Sequence, residues 1–106
     1  MHAAIRRYQM GAGSVDDFMA IVDAGFADTL SRHPGFVAYH VIASGSDQIV
    51  SVTLFRDEES AARSTPTAAE FVRERLQQFQ LNLTSAMSGE VGVSRTPSAQ
   101  QPADDR

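Results

Sequence analysis

Two apolar stretches around Gly45-Ser46 constrain this chain more than any other feature: GFVAYHVIAS before the pair and DQIVSVTLF after it. Side chains alternate across a strand, so each stretch divides its residues between two faces of a sheet. A two-residue loop with Gly first suits a type II′ hairpin. Such a loop predicts a register in which Ser44 faces Asp47, Ile42 faces Ile49, His40 faces Ser51, Ala38 faces Thr53 and Phe36 faces Phe55. One face then carries Phe36, Ile42, Ile49 and Phe55 mixed with Ala38, His40, Ser51 and Thr53. The other carries Val37, Tyr39, Val41, Val50, Val52 and Leu54. Both faces hold large apolar groups, so both need covering.

The flanking segments supply one cover. HAAIRRYQM (His2 to Met10) lacks Pro and Gly and reads as a first strand. After a GAGS turn, Ser14 reads as an N-cap, with Asp17 three residues on. Val15, Met19, Val22, Phe26 and Leu30 then recur at spacings of 3 and 4, an amphipathic helix of about five turns that Pro34-Gly35 ends. Asp57 is expected to cap a short helix opened by Glu58 and Glu59. A second start follows at Thr67 with Glu70, Pro66 beside it, and Val72, Leu76, Phe79 and Leu83 form its stripe. GEVGVSR (Gly89 to Arg95) reads as a last strand. Residues 1–95 thus form one domain, and 96–106, without apolar anchors, are expected to be a disordered tail.

The order β-α-β-β-α-β predicts an α+β fold: a ferredoxin-like βαββαβ plait, with a four-stranded antiparallel sheet in the order 4-1-3-2 and two helices on one face. The aliphatic face is the expected seat of the helices. A second copy packing sheet to sheet would cover the mixed face, giving a homodimer with one self-complementary surface. The two assignments can be exchanged, with the mixed face lining a pocket under the helices and the aliphatic face in the dimer. Arg6 and Arg7 point to opposite faces. Either one of them is partly buried and needs a partner, for which Glu90 is the nearest candidate, or both snorkel out at the strand end.

Composition excludes several classes. The formal charge is -4 and no basic run is present, so nucleic acid is not an expected partner. The chain has no cysteine, hence no disulfide, thiolate zinc site or Cys nucleophile. His2, His33 and His40 lack metal-ligand spacing. No N-terminal h-region and no apolar run of roughly 18 residues occur, so the expectation is a cytoplasmic protein that does not enter a membrane.

HPGFVAYHV…SDQIVSVTLFRDEESA resembles the antibiotic biosynthesis monooxygenase (ABM) superfamily of dimeric α/β barrels. The shared features are Pro34-Gly35 after a helix, the hairpin, a third strand ending in the aromatic Phe55, and the acidic group Asp57, Glu58 and Glu59. PTAAEFVRERL is similar to the second-helix segment of an uncharacterised branch. The resemblance implies a dimeric α/β barrel and either cofactor-free oxygenation of phenolic compounds or haem degradation. Phe55 stands where many members have Trp, Ser64 where many have His, and the first strand lacks the Asn of the haem-degrading members.

On this reading His40, beside Ser51 and Thr53, is the candidate catalytic residue, taking a proton from a bound phenol. The alternative is a neutral histidine paired across the dimer seam. Tyr8, Tyr39, Ser51, Thr53, Phe55 and Arg7 are the candidate substrate-binding residues. No cofactor is expected. The function expected is a cofactor-independent monooxygenase of a small apolar or aromatic molecule, the alternatives being a non-catalytic binding or structural dimer and a haem-binding relative.

Overall fold

The computed structural model describes residues 1–97; most of the expected tail, from residue 98 on, lies outside the described residues. The sheet contains β1 (His2–Met10), β2 (Phe36–Ser44), β3 (Gln48–Phe55) and β4 (Leu81–Glu90). They are ordered β2-β3-β1-β4 with every neighbouring pair antiparallel, as the strand-helix order predicts. The helices are α1 (Val15–Ile21), a π-helical segment Val22–Phe26, α2 (Ala27–Ser31) and α3 (Glu58–Arg75). This is the ferredoxin-like α+β arrangement.

Local chemistry explains the helix starts. The Ser14 side chain accepts the Asp17 backbone N–H at 3.1 Å, and Asp16 and Asp17 sit at the positive helix end. The Asp57 carboxylate accepts the Ser60 N–H at 2.8 Å. That bond, with the Ser60 hydroxyl and the nearby Arg56 and Arg63 charges, holds the Asp57 carboxyl below its usual range.

Four sequence expectations are corrected. The hairpin loop holds three residues, Gly45, Ser46 and Asp47, so Ser44 pairs with Gln48 and Val41 with Ser51. Asp47 is held from outside the hairpin: Met10 N–H bonds to the Asp47 carbonyl at 2.7 Å, and the Gln9 amide reaches the Asp47 carboxylate at 3.3 Å. Asp47 thus bonds to β1 and lies outside the β2–β3 pairing. Next, α3 is one continuous helix with Pro66 inside it, instead of two starts. It ends at Arg75, and the turn Gln77–Phe79 with left-handed Gln80 (φ 48°) sends Leu83 into β4. The last strand is therefore Leu81–Glu90, ahead of the expected Gly89 to Arg95. Finally, Glu90 pairs with the N-terminal ammonium at 2.9 Å and with neither Arg6 nor Arg7.

Met10, Phe18, Val22, Ile49, Leu76 and Phe79 form a buried cluster between sheet and helices. Phe18 and Phe79 meet edge to face with ring centroids 5.4 Å apart. Each such ring stabilises the fold by about 1.5–3 kcal/mol through burial. Gly13 (φ 82°) lets the Phe79 ring lie against the turn after β1, where a Cβ would strike that ring.

The opposite side of the sheet carries no helix. Ala3, Ile5 and Arg7 of β1 share it with Ala38, His40 and Ile42 of β2, Val50, Val52 and Leu54 of β3, and Met87 of β4. Ile42 is 50% exposed and Met87 63%. The expected faces are thus recombined: β3 follows the exchanged assignment, whereas Ala38, His40 and Ile42 stay away from the helices.

Gly35 joins α2 to β2 at φ 83°, with its carbonyl accepting the Arg56 N–H at 2.7 Å. A Cβ there would overlap the buried Ser60 side chain. Gly35→Ala is expected to lower the unfolding free energy by about 1–3 kcal/mol. A urea titration with unchanged slope reads this directly, and an unmoved midpoint would contradict the tight Gly35–Ser60 packing.

Candidate functional site

Between the sheet and its helices lies a partly open cavity of about 220 Å³. Its floor follows from strand alternation. On β1, His2, Ala4, Arg6 and Tyr8 all point the same way and all line it. Cross-strand pairing sets Ser51 beside Arg6, Thr53 beside Ala4, Ile49 beside Tyr8 and Phe55 beside His2. On β2, Tyr39 pairs with Thr53 and Val41 with Ser51. A bulge leaves Val37 unpaired, so Phe36 also turns toward the helices and meets Phe55 at 6.0 Å between centroids.

The roof explains why space remains. The inward side of α3 is small over Ala61, Ser64 and Ala68, and large further on, with Phe71, Val72 and the capping residue Leu76. The small half leaves the hollow; the large half closes it against the core. On the other arm, Phe18, Val22, Phe26 and Leu30 are four residues apart. In a regular α-helix each such step advances about 40° beyond a full turn. The π-helical segment Val22–Phe26 interrupts that drift, and all four side chains line the cavity. Phe26 meets Tyr39 edge to face at 5.3 Å and Phe71 at the same separation.

The polar groups in the lining fall into two sets. Ser64 is satisfied, donating to the Ala61 carbonyl at 2.7 Å. Ser51 and Thr53 are only 9% and 7% exposed, and neither hydroxyl has a hydrogen bond to a described residue. Arg6 is half-buried and forms no ion pair among the described residues. Burial pushes the Tyr8 phenol above its ordinary value, with the Arg6 charge opposing the rise. Burial and then the neighbouring Tyr8 raise Tyr39 further, again against Arg6. Both phenols are neutral at physiological pH and available as donors.

Five of the sequence-predicted site residues are brought together here: Tyr8, Tyr39, Ser51, Thr53 and Phe55. Two are not. His40 is exposed and pairs with Val52 on the helix-free side, because the three-residue loop shifts β3 by one. That register sets His40 outside the lining, apart from Ser51 and Thr53. Arg7 is exposed on the same side, and Arg6 takes the inward place. Sequence reasoning also missed Glu58, Phe26 and Phe71 in the lining. The strict alternation of β1 could have flagged Arg6, since it shares parity with Tyr8.

The fold and this hollow define a class: ferredoxin-like α+β proteins with a cavity between sheet and helices. Within it, the chain belongs to the antibiotic biosynthesis monooxygenase family, whose model matches residues 1–74. That segment holds every polar lining residue except Ser88. No curated protein matches the chain. Among solved structures it is similar to SnoaB, a cofactor-independent oxygenase from Streptomyces nogalater, at 18% identity over 90% of this chain and 94% of that one, with a TM-score of 0.62. HapK from Hahella chejuensis shares 19% identity over 92% of this chain and 100% of its own, at a TM-score of 0.67. A protein of unknown function from Nitrosomonas europaea shares 15% over 92% and 94%, at 0.71. These likenesses establish the fold.

Tyr8 and Tyr39 are the only tyrosines of the chain. In an ultraviolet pH titration, neither is expected to ionise on passing the ordinary value of 10.0 while the fold persists. The unfolded chain loses both protons there and the folded chain keeps them. Stability is therefore full below pH 10 and falls as pH rises toward the folded-state values. Normal titration in the native protein would overturn the buried placement.

Proposed function

We propose that the protein is a cofactor-independent monooxygenase of a small aromatic, phenolic compound, working as a homodimer. The observation that carries this reading is the cavity itself: aromatic walls from Phe18, Phe26 and Phe71 over a floor of hydroxyl donors. Apolar walls with a few convergent polar groups suit a flat aromatic ring. Family membership and the likeness to SnoaB, described as a cofactor-independent oxygenase, support the chemistry.

An activated CH₂ in a phenolic ring system, once deprotonated, gives one electron to dioxygen. The radical pair combines to a peroxide, which loses water to leave a carbonyl. The balance is R₂CH₂ + O₂ → R₂C=O + H₂O, with the substrate as its own reductant. The chain's part is to hold the ring, exclude water and offer donors to the oxygen on which charge develops; Tyr8 and Tyr39 suit that last role. Among the lining side chains, His2 and Glu58 are the groups able to accept the substrate proton.

The dimer reading rests on the helix-free sheet side, where apolar groups from all four strands stand together without a cover. Members of the family are commonly dimeric. A second copy would bury this side symmetrically.

Two measurements test the proposal. With an anthrone as substrate, oxygen uptake is expected well above the spontaneous rate. Ala68→Phe, which fills the hollow from α3, is expected to lower it by about tenfold or more. Uptake at the spontaneous rate across a panel of phenols, with binding intact, would favour the non-catalytic binding protein instead. In sedimentation, the protein is expected at twice its chain mass and the Ile42→Glu, Met87→Glu double variant at the single mass. A wild-type monomer at micromolar concentration would remove the dimer.

A further inference from the structure

The cavity floor holds a cation without a counter-ion. Every ion pair among the described residues lies outside it: Asp28 with Arg32, Glu59 with Arg63, and the N-terminus with Glu90. Glu58 is the one carboxylate in the lining, and it forms no ion pair with Arg6. A half-buried guanidinium keeps its charge and is costly to leave uncompensated. Next to it stand two more unspent donors. Ser51 is its direct cross-strand neighbour, and Thr53 lies two residues along the same strand face. Both residues are nine-tenths buried and line the cavity, and neither hydroxyl has a protein partner among the described residues. Buried hydroxyls in that condition are uncommon in folded proteins.

We propose that Arg6, Ser51 and Thr53 form an anion-binding subsite in the cavity floor, which holds a carboxylate carried by the aromatic ligand. The donor count favours a carboxylate. A guanidinium fork offers two parallel N–H groups, and the hydroxyls add one donor each. Together they match the roughly four lone-pair directions of a carboxylate better than the single oxygen of a phenol. The surrounding groups do not compete for the site, because the Tyr8 and Tyr39 phenols stay neutral and act as donors as well. The subsite fixes the substrate class as an aromatic acid and sets which edge of the ring faces the sheet. It rests on the reading of this cavity as the substrate site.

Calorimetric titration at neutral pH with 2-naphthoate, 2-naphthamide and 2-naphthol separates the ideas. The three share a ring system, and only the first is ionised. Naphthoate is expected to bind about tenfold or more tightly than either neutral analogue, the worth of a charge-assisted pair. Arg6→Gln is expected to abolish the preference by weakening naphthoate at least tenfold more than naphthamide, while Arg6→Lys restores part of it. Thr53→Val, nearly the same shape, is expected to weaken naphthoate more than either neutral analogue, and it keeps the test open should Arg6→Gln not fold. Equal affinity for acid and amide, with binding blocked by Ala68→Phe, would overturn the carboxylate subsite and leave the cavity reading standing. Naphthol binding tightest would reassign the donors to a phenolic oxygen and overturn it likewise. Binding that Ala68→Phe does not affect, or no binding of any probe, would overturn both.

Discussion

The three-residue loop between β2 and β3, beside which the Met10 N–H bonds to the Asp47 carbonyl, sets which way the side chains of β3 point relative to β2. It holds one residue more than the two-residue loop expected from Gly45-Ser46. A one-residue change exchanges the two faces of a strand relative to its partner. Ser51, Thr53 and Phe55 thereby look at the helices, and Val50, Val52 and Leu54 look away. The polar floor and the apolar outer side of the sheet both follow from that register. So does the position of His40, which the same slip separates from the two hydroxyls.

The hollow above that floor is a product of side-chain size along α3. Between Glu58 and Phe71 the inward places hold only alanines, Ser64 and Thr65, whereas Phe71, Val72 and, just past the helix end, Leu76 follow. A dry apolar void of this volume would cost about 5 kcal/mol, comparable with the whole stability of a small domain. The lining answers that cost in part: its guanidinium and hydroxyls can hold water, which an apolar lining does not. The fold thus keeps this space open with donors inside it that have no partner among the described residues.

Much of the architecture was legible from local chemistry. Strand β1 was bounded by its lack of Pro and Gly, and Ser14 and Asp57 announced their helices as N-caps. The strand order followed from the sequence of elements. What was hidden was non-local. Nothing between Ser44 and Gln48 discloses that β1 will claim Asp47. The SAARSTPTAA stretch looks like punctuation because small polar residues usually mark turns, whereas here they form the thin side of one unbroken helix. The apolar spacing of Val72, Leu76, Phe79 and Leu83 runs on as if helical, and only the left-handed Gln80 breaks it, without a glycine to signal the turn. In the site, most of the floor was visible as alternating residues on three strands. Choosing Arg7 over Arg6, and including His40, turned on parity, which a strand pattern with two apolar faces specifies weakly.

The π-helical segment at Val22–Phe26 gives the pocket an unusual kind of adjustability. One surplus backbone unit in that arm sets the rotational phase of everything that precedes it against everything that follows. Excising it would turn Phe26 relative to Phe18 by about 100°, carrying the ring away from Tyr39 without altering any side chain's identity. The width and shape of the aromatic wall are thus written partly as a residue count, so a one-codon length change there would reshape the hollow as surely as any substitution in the lining.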